Sequence, residues 1–199
     1  MKNSVSRRVF LKFALSTPIV LLVSRPAFAK TSTAALSDIE LSDLLYMREE
    51  EKVARDVYLT LYNTWGHKTF DKISKSEQQH MDTMKKMLDK YGVADPALPG
   101  VGTFINAVLQ NLYNTLVLKG SVSLIEGLKV GCTIEEVDLI DLQKAIDNST
   151  HSDLDRAYQS LMAGSENHLE AFVTALAELG VIYTPQYISQ ELFDEITKN

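Results

Sequence analysis

The stretch FDKISKSEQQHMDTMKKMLDKY, Phe70 to Tyr91, decides the fold. Its apolar residues Phe70, Ile73, Met81, Met84, Leu88 and Tyr91 recur three and four apart, which predicts a helix with a single buried stripe. Gly92 follows, where a helix commonly ends in the left-handed conformation. Inside that stripe stand Glu77 and His80, three residues apart and therefore stacked on the same face. An ionisable group on a buried face must be paired or bound to something. The segment thus predicts both a bundle helix and a polar site within it.

The same period continues on both sides. Ser37 and Glu40 form a capping-box pattern, and a first helix runs from there to about Asn63 with Leu44, Met47, Ala54, Tyr58 and Leu61 inward; Trp65-Gly66 closes it. Pro96 and Pro99 interrupt the pattern after the second helix, and residues 103 to 118 read as a short amphipathic helix within a crossover. A third helix extends from about Ser123, again with a capping-box spacing to Glu126, to Ile146. It carries Gly127 and Gly131 at about 1 kcal/mol each relative to alanine. A fourth spans Ser152 to Leu179, and a last short helix covers Gln190 to Ile196. No stretch alternates at period two. The expectation is an all-α protein, a four-helix bundle made of two hairpins joined by a long crossover.

Projected at 100° per residue, Glu51 falls inward on the first helix, with Glu50 at the stripe's edge and Glu49 toward water. The third helix places Glu135 and Asp138 inward and Glu136 on the opposite side. The fourth places Ser165 and His168 inward. Only Arg48 and Arg55 come near these faces as basic partners. Carboxylates and imidazoles converging in a bundle core suit iron, manganese or zinc. The halves run in parallel, since Glu51 lies 29 residues before His80 and Glu135 lies 33 before His168. Tyr58 reads first as a core aromatic whose hydroxyl could orient a ligand from a neighbouring helix. His67 and His151 fall in turns, Met81, Met84 and Met87 read as packing, and Cys132 as a small buried residue.

The chain has 199 residues, 45% of them hydrophobic, with one cysteine and four histidines. A chain of that size buries enough surface to fold without a disulfide or metal, and a lone thiol excludes a disulfide scaffold. At the N-terminus, Ser6-Arg7-Arg8-Val9-Phe10-Leu11-Lys12, a short apolar run from Ala14 to Val23 and Ala27-Phe28-Ala29 read as a twin-arginine signal, residues 1–29, cleaved after Ala29. Pro18 and the brevity of the run argue against a membrane span. The expected location is the periplasm, with no membrane contact after cleavage. Residues 30–36 read as a flexible leader, 37–180 as the bundle and 181–199 as a tail. Beyond the signal the chain holds 15 basic and 26 acidic residues, a net charge of −11. That excludes nucleic acid as the natural partner and favours cations.

Glu51-x-x-Ala54-x-x-x-Tyr58 resembles the first metal helix of rubrerythrins, and Glu77-x-x-His80 resembles their Glu-x-x-His pair. More widely, residues 38–178 are similar to a bacterial ferritin-like family catalogued as a domain of unknown function, through Glu49 to Tyr58, Ser76 to Met81, Ile134 to Asp138 and Asn167 to Phe172. The resemblance implies a ferritin-like four-helix bundle with a crossover containing a short helix. It also implies a dinuclear site with Glu51, Glu77, His80, Glu135, Asp138 and His168 as ligands. One position departs from the pattern: Ser165 stands where the fourth helix of such enzymes carries a carboxylate, which leaves Asp138 as the substitute and one or two ions as the occupancy.

The reading is an exported metal-binding protein, with iron as cofactor and manganese or zinc as alternatives. Redox chemistry on iron, peroxide or dioxygen would make it a non-haem iron oxidoreductase, and a homodimer is open to it. The rival reading is a metal-free periplasmic bundle that serves as a binding or structural protein.

Overall fold

The computed structural model describes residues 35–197. The export signal expected at 1–29 and most of the leader lie outside the described residues. Six helices and no strand make up what is described: α1 (Asp38–Trp65), α2 (Lys68–Tyr91), α3 (Ala107–Gly120), α4 (Leu124–Asn148), α5 (Ser152–Glu178) and α6 (Gln190–Thr197). None of these helices is long and apolar enough to cross a membrane.

Local chemistry sets the ends. Ser37 and Glu40 make both bonds of the capping box. Ser123 makes only half of one: its hydroxyl accepts from the Glu126 amide at 3.1 Å, whereas the Glu126 carboxylate turns to Lys129 at 2.9 Å. α3 starts at Ala107, four residues later than the period suggested, because the Asn106 side chain caps the amides of Val108 and Leu109. Gly66 and Gly92 end α1 and α2 with φ of 65° and 70°, a conformation that glycine adopts without strain.

α1 packs on α2 and α4 on α5, and the two hairpins close on each other through α1 against α4 and α2 against α5. The connection from α2 to α4 carries α3, which lies on α1 and α4. Both glycines of α4 answer to this packing. A Cβ on Gly131 would meet the Phe172 ring at 2.5 Å, and one on Gly127 would meet the Gly120 carbonyl oxygen and Phe70 at 3.2 Å. Close approach of rings and backbone thus offsets their poor helix propensity. The Phe172 ring in turn sits 5.1 Å from that of Tyr58 and 5.8 Å from that of Phe70.

The core forms two apolar clusters. One gathers Val57, Leu61, Phe70, Leu128, Phe172 and Leu176, and the other Leu44, Met47, Met84, Leu88, Leu142, Leu154 and Leu161. Along each long helix the polar residues singled out above fall between them. The bundle is apolar at both ends and ionisable in the middle.

Burial extends to the outer faces, which corrects one expectation. Glu49 does not face water: it is buried, as is every residue from Met47 to Ala54, Glu50 at the stripe's edge included. The segment before α3 folds over the outer side of α1, so Glu49 accepts from the Ile105 amide at 2.9 Å. Glu136 points away from Glu135 as expected, yet it is fully buried. It accepts from the Tyr183 hydroxyl at 2.6 Å and from the amides of Gln186, Tyr187 and Ile188, and so fastens the C-terminal segment to α4. Helical projection reports only the side facing the paired helices, and it misses chain that returns over the other side.

Candidate metal centre

All six residues expected as ligands are buried in the middle layer: Glu51 from α1, Glu77 and His80 from α2, Glu135 and Asp138 from α4, His168 from α5. Glu77 sits between the imidazoles. Its Oε2 is 2.8 Å from His80 Nδ1 and its Oε1 is 2.8 Å from His168 Nδ1. Glu51 Oε2 approaches His80 Nδ1 at 3.2 Å, and Glu135 Oε2 approaches His168 Nδ1 at 3.4 Å. The imidazole rings stack at 5.3 Å between centroids. Ligand atoms of Glu77, His80 and His168 all lie within 4.8 Å of one another.

Neighbouring groups hold these side chains from behind. The Tyr58 hydroxyl donates to Glu135 Oε1 at 2.5 Å, the orienting role its place in the sequence suggested. Ser165 Oγ donates to Asp138 Oδ2 at 2.5 Å. Ser76 Oγ pairs with His168 Nε2 at 2.8 Å and leaves Nδ1 directed at the site. Gly164 makes room for His80, because a Cβ there would meet the imidazole Cε1 at 2.6 Å. Sequence reasoning passed over Ser76 and Gly164. Ser76 carries a weak signal, one position before Glu77, whereas the clearance at Gly164 arises only when α5 meets α2.

Four carboxyl groups face two imidazoles, and among the described residues no lysine or arginine joins them. Arg48 is taken by Asp95 at 2.8 Å and Arg55 by Asp56 at 2.6 Å. Burial raises Glu51 well above the usual carboxylate range, helped by the charge of Asp138. Burial and the charge of Glu135 push Asp138 up to about 8, against the Ser165 hydrogen bond. Burial and Glu77 also raise Glu135. At Glu77 burial is outweighed by the two imidazoles, which bring it down to about 2. Burial alone would lower the imidazoles, but Glu51 and Glu77 hold His80 at about 11, and Glu135 and Glu77 hold His168 at about 10. The layer is short of positive charge and recruits protons to supply it.

The alignment of atoms adds a further constraint. Glu77 Oε1 and His168 Nδ1 are 2.8 Å apart as an ion pair without the alignment of a hydrogen bond, and Glu51 Oε1 has no hydrogen-bond partner. Buried polar atoms are almost always satisfied. Ligand atoms that converge on one region without aligned hydrogen bonds between them are what a cation site requires once its protons leave. The residues fit a transition metal.

Residues 40–199 match the family described as an uncharacterized protein domain, DUF2202. The chain is similar to the uncharacterized protein MJ0754 of Methanocaldococcus jannaschii, 49% identical over 162 residues that cover 81% of this chain and 88% of that protein. The crystal structure of hypothetical protein MJ0754 matches with a TM-score of 0.82 at 47% identity, covering 84% of this chain and 96% of that one. A match over that span, with a relative of nearly half identical sequence, is decisive for kinship: the chain belongs to the DUF2202 family.

Proposed function

We propose that this protein is an exported, ferritin-like metal-binding protein that holds one or two transition-metal ions in the middle layer of its bundle, iron first, with manganese or zinc as alternatives. Glu51, Glu77, His80, Glu135, Asp138 and His168 would hold the ions. The observation that carries this reading is the pair Glu77 Oε1 and His168 Nδ1, close and buried with no hydrogen bond to either.

Iron at such a site supplies one-electron chemistry toward peroxide, dioxygen or ferrous iron. The chain's own residues do the rest. Glu77 presents one oxygen to each imidazole and would hold the metal together with His80 and His168. Tyr58 and Ser165 fix Glu135 and Asp138 against rotation. The apolar clusters above and below exclude water, which strengthens every charge interaction in the layer. His80 and His168 carry protons that a cation would displace, so loading should release protons.

The test is elemental analysis of protein purified from iron-replete cells, beside the variant with Glu77→Ala and His80→Ala. The native protein should hold near-stoichiometric metal and the variant none, with helix content unchanged by circular dichroism. Equal metal in both would return the protein to the rival reading, in which the Glu77 and His80 pair at 2.8 Å is a structural ion pair.

A further inference from the structure

Glu50 is the buried carboxylate that the middle layer does not use. It is 5% exposed, and its Oε2 has no hydrogen-bond partner. Its neighbours are acids: Asp141 lies within hydrogen-bonding reach, and Asp138 is close enough to act on it by charge. Tyr46 is within reach as well. Lys144 acts on Glu50 from a distance but is exposed, and no ion pair closes between them. A buried carboxylate with an unpartnered oxygen, beside a second carboxyl group at the edge of a pocket, calls for a counter-ion.

The surroundings favour a cation. Asp141 lines a polar pocket of about 320 Å³ between α1 and α4, together with Asp43, Tyr46 and Lys144. Glu135, Asp138 and Asp141 stand three apart on α4, and α1 runs antiparallel to it, with Tyr58 against Glu135 and Asp43 against Asn148. Carboxylates therefore follow one another from the buried histidines to the pocket: Glu135 and Glu51, then Asp138, then Glu50 and Asp141.

We propose that Glu50 and Asp141, with Asp138 behind them, form a second, outer binding site for a divalent cation, entered where Asp141 meets this pocket. Carboxylate and hydroxyl donors without imidazole suit a hard ion such as Mn²⁺ that retains some of its water. Asp138 is shared between the layers, so the outer site leads to the inner one. That role as an approach rests on the proposed metal centre, whereas the binding of a cation at Glu50 and Asp141 does not.

Equilibrium dialysis of the purified protein against Mn²⁺ alone tests this with three variants. Glu50→Gln with Asp141→Asn should bind one Mn²⁺ per chain fewer than the native protein. His80→Ala with His168→Ala should lose the inner ion and keep the outer one. All four changes together should bind none. If the first variant loses its fold, Asp141→Asn alone, at a half-buried position, should still lower the count or weaken the last ion. Mn²⁺ binding unchanged by Glu50→Gln with Asp141→Asn, or by Asp141→Asn in that case, overturns the outer site. Binding unchanged by the histidine changes overturns the inner one instead.

Discussion

The two sides of α1 bury comparable amounts of charge and resolve it in opposite ways. On the outer side, Lys52 and Asp56 are both fully buried and pair at 2.5 Å. Asp56 Oδ1 takes two bonds from Arg55, Asp56 Oδ2 takes the Gly102 amide at 2.8 Å, and Lys52 also donates to the Gly100 carbonyl at 2.7 Å. The Lys52 ammonium further lies 4.3 Å from the centroid of the Phe104 ring. No atom of Lys52, Arg55 or Asp56 lacks a partner. On the inner side Glu50 and Glu51 each keep a buried oxygen with no hydrogen-bond partner, and Glu77 Oε1 and His168 Nδ1 meet without an aligned hydrogen bond. Buried charge alone does not mark a functional site. A cluster closed by its own counter-ions and backbone holds chain in place, and one left open calls for a ligand.

The largest expected effect breaks the closed side. Asp56→Ala would leave Lys52 buried without its counter-ion and release the segment at Gly102, which should destabilise the protein by about 3–5 kcal/mol. Urea unfolding measures this with and without metal, and a loss under about 1 kcal/mol would erase the contrast. The open side should respond to a cation instead. Fe²⁺, Mn²⁺ or Zn²⁺ at about 100 times its dissociation constant should stabilise the native protein by about 2.7 kcal/mol. The same addition should leave the variant with Glu77→Ala and His80→Ala unmoved.

Proton linkage sharpens the difference further. His80, His168 and Asp138 have raised values, so the stability they contribute without metal is complete at low pH and is lost as pH rises. Asp138 loses its share between its ordinary value and about 8, and the imidazoles lose theirs between about 6.5 and about 10 to 11. Glu77 has the opposite sign, its contribution fading as pH falls toward about 2. Thermal melts of metal-free protein should therefore decline steadily above about pH 6.5, and metal should abolish the decline. A flat profile without metal would mean that the imidazoles carry no extra protons.

The smallest effect concerns clearance. Gly164→Ala should add about 1 kcal/mol of helix propensity, yet the new Cβ presses on His80. Metal affinity should fall about tenfold, as when a group supporting a ligand is changed, while Tm in the absence of metal moves little. Isothermal titration with Zn²⁺ reads it, and an unchanged affinity would show that His80 has room to shift.

Much of this was legible in residue order. The period of three and four fixes the four long helices, because each must bury one stripe, and Glu77, His80, Glu51, Glu135, Asp138 and His168 are conspicuous for standing inside those stripes. Their meeting follows from the same rule, since stripes face one another across the bundle. Ser165 shows where that reading stops. Its lack of a carboxylate is plain in the sequence, but its hydrogen bond to Asp138 depends on the axial register of α5 against α4, which no local period encodes. The buried Glu49, Lys52, Asp56 and Glu136 were illegible for a related reason. Lys52 and Asp56 pair within α1, but the chain that covers them and Glu49 is the segment before α3, and Glu136 is held by residues 183 to 188; such irregular chain has no repeat from which its path can be read. The sequence by itself determined which side chains would share an interior, because burial follows helical period. Only the tertiary structure decided which of them find partners and which are left open to a cation, because that depends on atomic distances between segments far apart in the chain.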